Sequence, residues 1–121
     1  GETPLLSAAS SSNSEIVKML LDMGAAVNTK NNIGETPLLS ATSSSNSEIV
    51  KMLVNRGADI NATDAKGWSP LIWAARNSNL EAVDLLLDHG AYVNVKSPKG
   101  LTSLHYAVKA SNTGVAKVLL K

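Results

Sequence analysis

Few residues in this chain have the type and spacing that catalysis requires. The 121 residues include no cysteine and only two histidines, His89 and His105. Neither histidine has a carboxylate at helical spacing that would orient it as a base, and the candidate nucleophiles are serines in predicted loops. No glycine-rich phosphate loop, paired acid or metal-spaced histidine cluster occurs. We therefore expect a protein that is not an enzyme and that uses no cofactor or metal.

Aromatic and cationic residues indicate binding chemistry instead. The chain has only four aromatic residues, Trp68, Trp73, Tyr92 and Tyr106, and Arg76 lies three positions after the second tryptophan. Tryptophan, tyrosine and arginine are the residue types that dominate binding hot spots. These residues can form a recognition surface only if the fold brings them together.

A repeated element of 33 residues must do that positioning. Glycines 1, 34, 67 and 100 each open a similar stretch, so we predict one domain, residues 1–121, of four units: 1–33, 34–66, 67–99 and the truncated 100–121. The first two units agree at 22 of 33 positions, including 19 of the first 20, which indicates a recent duplication or a designed sequence. A fixed period of this length is typical of a stacked repeat array.

Each unit predicts two short helices. In the first, Thr3 is a good N-cap and Pro4 suits the first helical position, so a helix should run to about Ser11. A second helix should run from about Ser14 to Asp22 and end at Gly24 in the left-handed conformation. The residues expected to be buried are Leu5, Ala8 and Ala9 in the first helix and Ile16, Val17, Leu20 and Leu21 in the second. Such short helices are marginal alone, so the units must stack.

This pattern closely resembles the ankyrin repeat. The family's G-x-T-P-L-H-x-A-A signature appears as residues 1–9, and its E-I-V-x-x-L-L-x-x-G-A-x-V-N appears as residues 15–28. The resemblance covers the whole chain and implies an all-α, right-handed solenoid of stacked helix-turn-helix units with hairpin-like loops. It also implies a scaffold for protein–protein interaction.

Two departures from the family pattern affect the expected packing. The signature histidine is replaced by Leu6, Leu39 and Ile72 and remains only as His105, so apolar packing must replace polar ties in three units. The family's glycine between the two helices is serine in every unit. Because a residue with a side chain is strained in the left-handed conformation, we expect the asparagine that follows to adopt it instead.

The resemblance also places the binding residues. In an ankyrin stack, unit positions 32, 33 and 2 lie on the hairpin finger, and positions 7, 10 and 11 line the concave side of the first helix. Trp68, Trp73 and Tyr106 should therefore share one surface. The full predicted partner-binding set is Trp68, Trp73, Arg76, Tyr106, Lys66, Lys99, Leu101 and Lys109.

Three functions remain open for this surface. The first is recognition of a protein or extended peptide, with acidic residues against the cations and an apolar anchor against the tryptophans. The second is a small anionic or nucleotide-like ligand, because rings and cations together can stack a base and hold phosphates. The third is an engineered or architectural scaffold with no natural partner, which the near-identical first units favour.

Other partners and the location follow from composition. The net charge is +1, with −1 on each of the first two units, zero on the third and +3 on the last, so the C-terminal half should repel basic partners and mildly attract acidic ones. A nucleic-acid partner is not expected. No apolar run approaches a membrane span, and the absence of cysteine favours a cytoplasmic or nuclear location. The uncapped terminal units predict end-to-end self-association through bare apolar stripes, including Val115, Val118 and Leu119 in the last helix.

Overall fold

The computed structural model describes residues 2–121, which form eight α-helices and no β-strand. Each predicted unit holds two of them. In chain order they are α1 (Pro4–Ser10), α2 (Ser14–Asp22), α3 (Pro37–Ser43), α4 (Ser47–Asn55), α5 (Pro70–Arg76), α6 (Leu80–Asp88), α7 (Ser103–Lys109) and α8 (Thr113–Leu119). The all-α prediction is confirmed.

The odd-numbered helices begin as the sequence predicts. The hydroxyl of Thr3 accepts a hydrogen bond from the backbone N–H of Leu6 at 3.2 Å, and Pro4 opens α1. The same cap and proline recur in α3 and α5. In the last unit, the backbone N–H of Thr102 donates to Nδ1 of His105 at 2.9 Å. The one retained signature histidine thus ties the start of α7 locally.

The turn between the two helices of each unit departs from the prediction. Asn13 is the N-cap of α2, with φ −93°, and its side-chain oxygen accepts the N–H of Ile16. A capping residue needs a non-helical backbone with negative φ, so the asparagine cannot also be left-handed. The preceding serines take the strain instead: φ lies between 55° and 57° at Ser12, Ser45, Ser78 and Ser111. Our assignment of the strain to asparagine was wrong.

Stacking of adjacent units forms the hydrophobic core. The first helices pack in the series α1, α3, α5, α7, and the second helices pack behind them as α2, α4, α6, α8. Leu39 and Ile72, which stand where the signature histidine would be, are each 1% exposed. Leu53 of α4, an interior helix, is 0% exposed. Apolar side chains therefore fill the positions from which the family's polar tie is missing.

The terminal helices are buried differently from the prediction. Ile16 is 45% exposed, whereas its equivalent Ile49 in unit two is 0% exposed, because no earlier unit within residues 2–121 covers it. The predicted burial of Ile16 was wrong, and that of Val17 and Leu21 is confirmed. Helix α8 packs on α7 and α6. In it, Val115 is 0% and Leu119 7% exposed, and Val118 is partly buried against the core. The predicted bare apolar stripe of Val115, Val118 and Leu119 was therefore wrong.

Asparagines in the loops connect unit one to unit two and unit two to unit three. The Asn28 side chain donates to the carbonyl of Gly57 at 3.3 Å and accepts the N–H of Asp59 at 2.7 Å. Asn61 repeats both bonds with Gly90 and Tyr92. These amides therefore hold the backbone of the following unit and fix the stacking register.

A surface ion-pair cluster also joins the first two units. The ammonium group of Lys18 lies 2.9 Å from the carboxylate of Asp22, and Arg56, the C-cap residue of α4, pairs with the same carboxylate. The hydrogen bonds from Lys18 and then Arg56 lower the pKa of Asp22 below its ordinary value. Because the groups are exposed, the cluster is a minor contributor to stability.

Candidate functional site

The two tryptophans are positioned by a turn and a helix start. One carboxylate oxygen of Asp64 accepts the backbone N–H groups of Lys66 and Trp68, at 2.9 and 3.0 Å. Gly67, between them, has φ 88°, a conformation that glycine adopts without strain. Trp68 thus leaves the turn in a fixed direction, and Trp73 follows on the first turns of α5.

The aromatic rings form one cluster. The ring centroids of Trp68 and Trp73 are 4.7 Å apart with planes inclined by 31°, and those of Trp68 and Tyr106 are 5.3 Å apart. Tyr106 is 9% exposed, and its hydroxyl donates to Oγ of Ser97 at 3.0 Å. Tyr106 is therefore mainly a buried support for Trp68, whereas the two half-buried tryptophans offer ring surface to a ligand.

Arg76 lies across both tryptophans. Its guanidinium carbon is 5.7 Å from the ring centroid of Trp68 and 5.6 Å from that of Trp73, within the range of cation–π attraction. Trp73 and Arg76 are three residues apart on α5, so they share one helix face. The guanidinium makes no ion pair with any acidic residue among residues 2–121.

These groups border a cavity of about 500 Å³ that is formed by units two and three together with the last two residues of unit one. This volume falls within the roughly 300–1,000 Å³ typical of ligand-binding sites. We call it the tryptophan cavity; its lining residues are Asn32, Ile33, Glu35, Asp64, Ala65, Lys66, Trp68, Trp73 and Arg76.

A second hollow shares Arg76 with the tryptophan cavity. This lysine groove has a volume of about 290 Å³ and is lined by Arg76, Tyr106, Lys109 and Ala110. Arg76 belongs to both, so a ligand that extends from one to the other must pass its guanidinium. The direction from the tryptophan cavity to the lysine groove runs from unit two toward unit four.

The structure brings most of the predicted site residues together. Lys66, Trp68, Trp73 and Arg76 line the tryptophan cavity, and Tyr106 and Lys109 line the lysine groove with Arg76. Two predicted residues line neither. Leu101 is half-buried against the core, where its backbone carbonyl accepts the N–H of Ser97 at 2.8 Å, and Lys99 is exposed in the turn between them.

Sequence reasoning missed the far wall of the cavity. Ile33 is 62% exposed there, and two acidic residues, Glu35 and Asp64, also line it. A signal for Ile33 was present, since it occupies unit position 33, where units two and three carry the predicted residues Lys66 and Lys99. For Asp64, the signal was its position in the turn that leads into Trp68.

Other kinds of site are not found in the part of the chain that the structure describes. Residues 2–121 contain no group of three or more histidine, aspartate or glutamate side chains placed to hold a metal ion. In the same residues, no helix has the length and apolar character needed to cross a membrane.

Comparison with protein families establishes the class of protein. A family model described as ankyrin repeats (three copies) matches residues 1–64 and again residues 61–121. The chain therefore belongs to the ankyrin-repeat family, whose members generally mediate protein–protein interactions and are typically scaffolds without enzymatic activity. The search of curated proteins gives no match to this chain.

Proposed function

We propose that this chain binds a protein partner through an extended segment that lies along the tryptophan cavity and the lysine groove. The observation that carries the proposal is the tryptophan cavity itself, which two tryptophans and an arginine border together. Buried aromatic and arginine anchors are the usual centre of a protein-binding surface. The family's general role in protein–protein interaction supports the same reading.

The anchor of the partner is an apolar or aromatic side chain. It would enter the tryptophan cavity between the rings of Trp68 and Trp73 and the exposed side chain of Ile33. Burying such a side chain contributes roughly 1.5–3 kcal/mol. Acidic residues of the partner then face Lys66, Arg76 and, in the neighbouring groove, Lys109.

Selection from a displayed library of random 12-residue peptides tests this proposal. Peptides selected on the wild-type chain are measured again on the double variant Trp68→Glu/Trp73→Ser. The same two unit positions carry Glu35 and Ser40 in unit two, so the fold already accepts these residues there. We expect the variant to lose about 30-fold or more in affinity, as removal of a hot spot does.

A matched control separates this surface from the rest of the array. Ser7→Ala and Ser11→Ala change concave-side positions of unit one and should leave affinity within about twofold. Circular dichroism of each variant verifies that the helices are intact. If the selected peptides bind the tryptophan variant as well as the wild type, the binding site lies elsewhere and the proposal is wrong.

The two alternatives have distinct outcomes. A nucleotide-like ligand would show as quenching of tryptophan emission by adenosine triphosphate, lost in Trp73→Ser, together with no selected peptides. A scaffold without a natural partner would retain neither peptide nor nucleotide. Since Trp68 and Trp73 are the only tryptophans in the chain, their emission reports on this site alone.

We further propose that chains of these 121 residues associate end to end. Unit one exposes Ile16, Met19 and Met23, at 45%, 57% and 85%, and unit four exposes Val108 and Leu120, at 64% and 69%. The two units also carry opposite charge, −1 and +3. A contact between unlike ends does not close on itself, so sedimentation should show a mass that grows with concentration and falls with salt. A constant monomer mass would exclude this contact.

We also propose a cytoplasmic or nuclear location for this protein.

A further inference from the structure

The cation-binding faces of both tryptophans are already taken by the protein itself. Arg76 lies 5.7 and 5.6 Å from the two ring centroids, which is where a cationic ligand would seat. A lysine or arginine of a partner would therefore meet a like charge and displace a favourable contact. The arrangement disfavours a basic anchor, although the cavity is lined by aromatic rings.

The hydrogen-bonding capacity of Arg76, in contrast, is unused. A guanidinium has five N–H donors, and no acidic side chain among residues 2–121 forms an ion pair with this one. The two acidic residues that line the cavity already accept hydrogen bonds from other groups. Asp64 accepts two backbone N–H groups, and Glu35 accepts a hydrogen bond from the side-chain amide of Asn31 at 3.1 Å. Cation–π attraction to the two rings holds the guanidinium at this site, where its N–H groups can donate to an acceptor on a partner.

A carboxylate is the acceptor that fits this fork, because it takes two parallel N–H···O bonds. Arg76 and Lys109 occupy the tenth position of adjacent units, and packed helices lie about 8–10 Å apart. An extended chain covers that distance in roughly three residues, at about 3.3 Å each. A peptide that passes from the tryptophan cavity to the lysine groove therefore meets Arg76 first and Lys109 about three residues later.

We infer that Arg76 determines the specificity of this surface: it selects partners with a carboxylate side chain next to the apolar anchor and rejects partners with a cation there. The inference rests on the proposed function and adds to it the chemistry and order of the recognised segment. A second acidic residue about three positions further along would meet Lys109.

The peptides selected on the wild-type chain give the first test. Those that depend on the two tryptophans should carry aspartate or glutamate within three residues of an apolar anchor. If they instead carry lysine or arginine there, or no charge, Arg76 is not the selector, although the proposed function stands. If no selected peptide depends on the tryptophans, both ideas fail together.

A double-mutant cycle with such a peptide gives the second test. We expect the peptide's acid-to-amide change and Arg76→Gln each to lower affinity about tenfold, and the two together to cost no more than either alone. Arg76→Lys should restore only part of the loss, because lysine keeps the charge but not the fork. Lys117→Gln removes an exposed cation of α8 that lines neither hollow and should change affinity less than twofold.

Each result of the cycle is decisive, because Arg76 is exposed and its replacement leaves the core intact. If the acid-to-amide change costs the same on Arg76→Gln as on the wild type, the carboxylate does not contact Arg76 and the inference is wrong. If Lys117→Gln costs as much as Arg76→Gln, the effect is that of overall charge and not of a specific receptor.

Discussion

Replacing the strained serines between the paired helices with glycine should stabilise the array. Ser45 and Ser78 have φ of 55° and 56°, and both are exposed. The left-handed conformation costs a residue with a side chain about 1–2 kcal/mol. Part of that gain is offset, because glycine has more freedom to lose on folding, by roughly 0.5–1 kcal/mol. We expect a net gain of about 0.5–1 kcal/mol for each replacement.

The double variant Ser45→Gly/Ser78→Gly should show about twice the single effect. The two positions lie in different units and share no hydrogen-bond partner, so their contributions should add. Urea unfolding followed by circular dichroism measures the change as a higher midpoint with an unchanged slope. In thermal unfolding, a gain of 1 kcal/mol corresponds to about 3–6 °C for a chain of this size.

Ser44→Gly is the control for this prediction. Ser44 directly precedes Ser45 and is also exposed, but its φ is −86°, so glycine relieves no strain there. That replacement should lower the free energy of unfolding by about 0.5 kcal/mol, through the greater freedom of the unfolded chain. If Ser44→Gly and Ser45→Gly shift the midpoint in the same direction, backbone strain is not the cause and the reasoning is refuted.

Three other stability measurements follow from the packing and the caps. Leu53→Ala should cost about 2–5 kcal/mol because that side chain is fully buried. His105→Ala should cost only about 1 kcal/mol, through loss of local hydrogen bonds. The reverse order of urea midpoints would contradict the packing account. Ser103→Pro should raise stability by about 0.5–1 kcal/mol. The buried Ser103 hydroxyl has no hydrogen-bond partner, and the other three units carry proline at the same unit position. A lower urea midpoint would show that the backbone N–H of Ser103 is needed. Asp22→Asn should lower stability at neutral pH, because the pKa of Asp22 is lowered in the folded state. The stabilising contribution of the carboxylate is present above the ordinary carboxyl pKa and fades as the pH falls through the folded pKa. The urea midpoints of the variant and the wild type should therefore converge in acid.

Most of the fold could be predicted because the same capping and turn residues recur from unit to unit. Caps such as Thr3 and Asn13 and glycines such as Gly24 fix the helix ends through short-range hydrogen bonds. The errors came where a residue's environment depends on a competing role or on a neighbouring unit. Ser12 is left-handed because Asn13 must cap α2, and Ile16 is exposed because its covering unit is absent from residues 2–121.

The candidate site was predicted on one side only. Unit positions bring Trp68 and Trp73 to one surface, but sequence position does not tell which face of the preceding loop closes the cavity. Ile33 and Asp64 line it because the backbone N–H of Ala65 donates to the carbonyl of Ile33 at 3.1 Å, which draws the two loops together. The position of the Arg76 guanidinium within cation–π distance of both rings likewise depends on side-chain geometry that the repeat pattern does not encode.

The central claim is that partners bind at the two tryptophans, and their indole N–H signals test it most directly. A chain of 121 residues gives well-resolved amide spectra, and the two indole signals belong to Trp68 and Trp73 alone. On titration with a peptide selected on the wild-type chain, we expect both indole signals and the amides around Arg76 and Lys109 to shift together with one dissociation constant. Shifts confined to unit one or to the second helices, with both indole signals unmoved, would contradict the account.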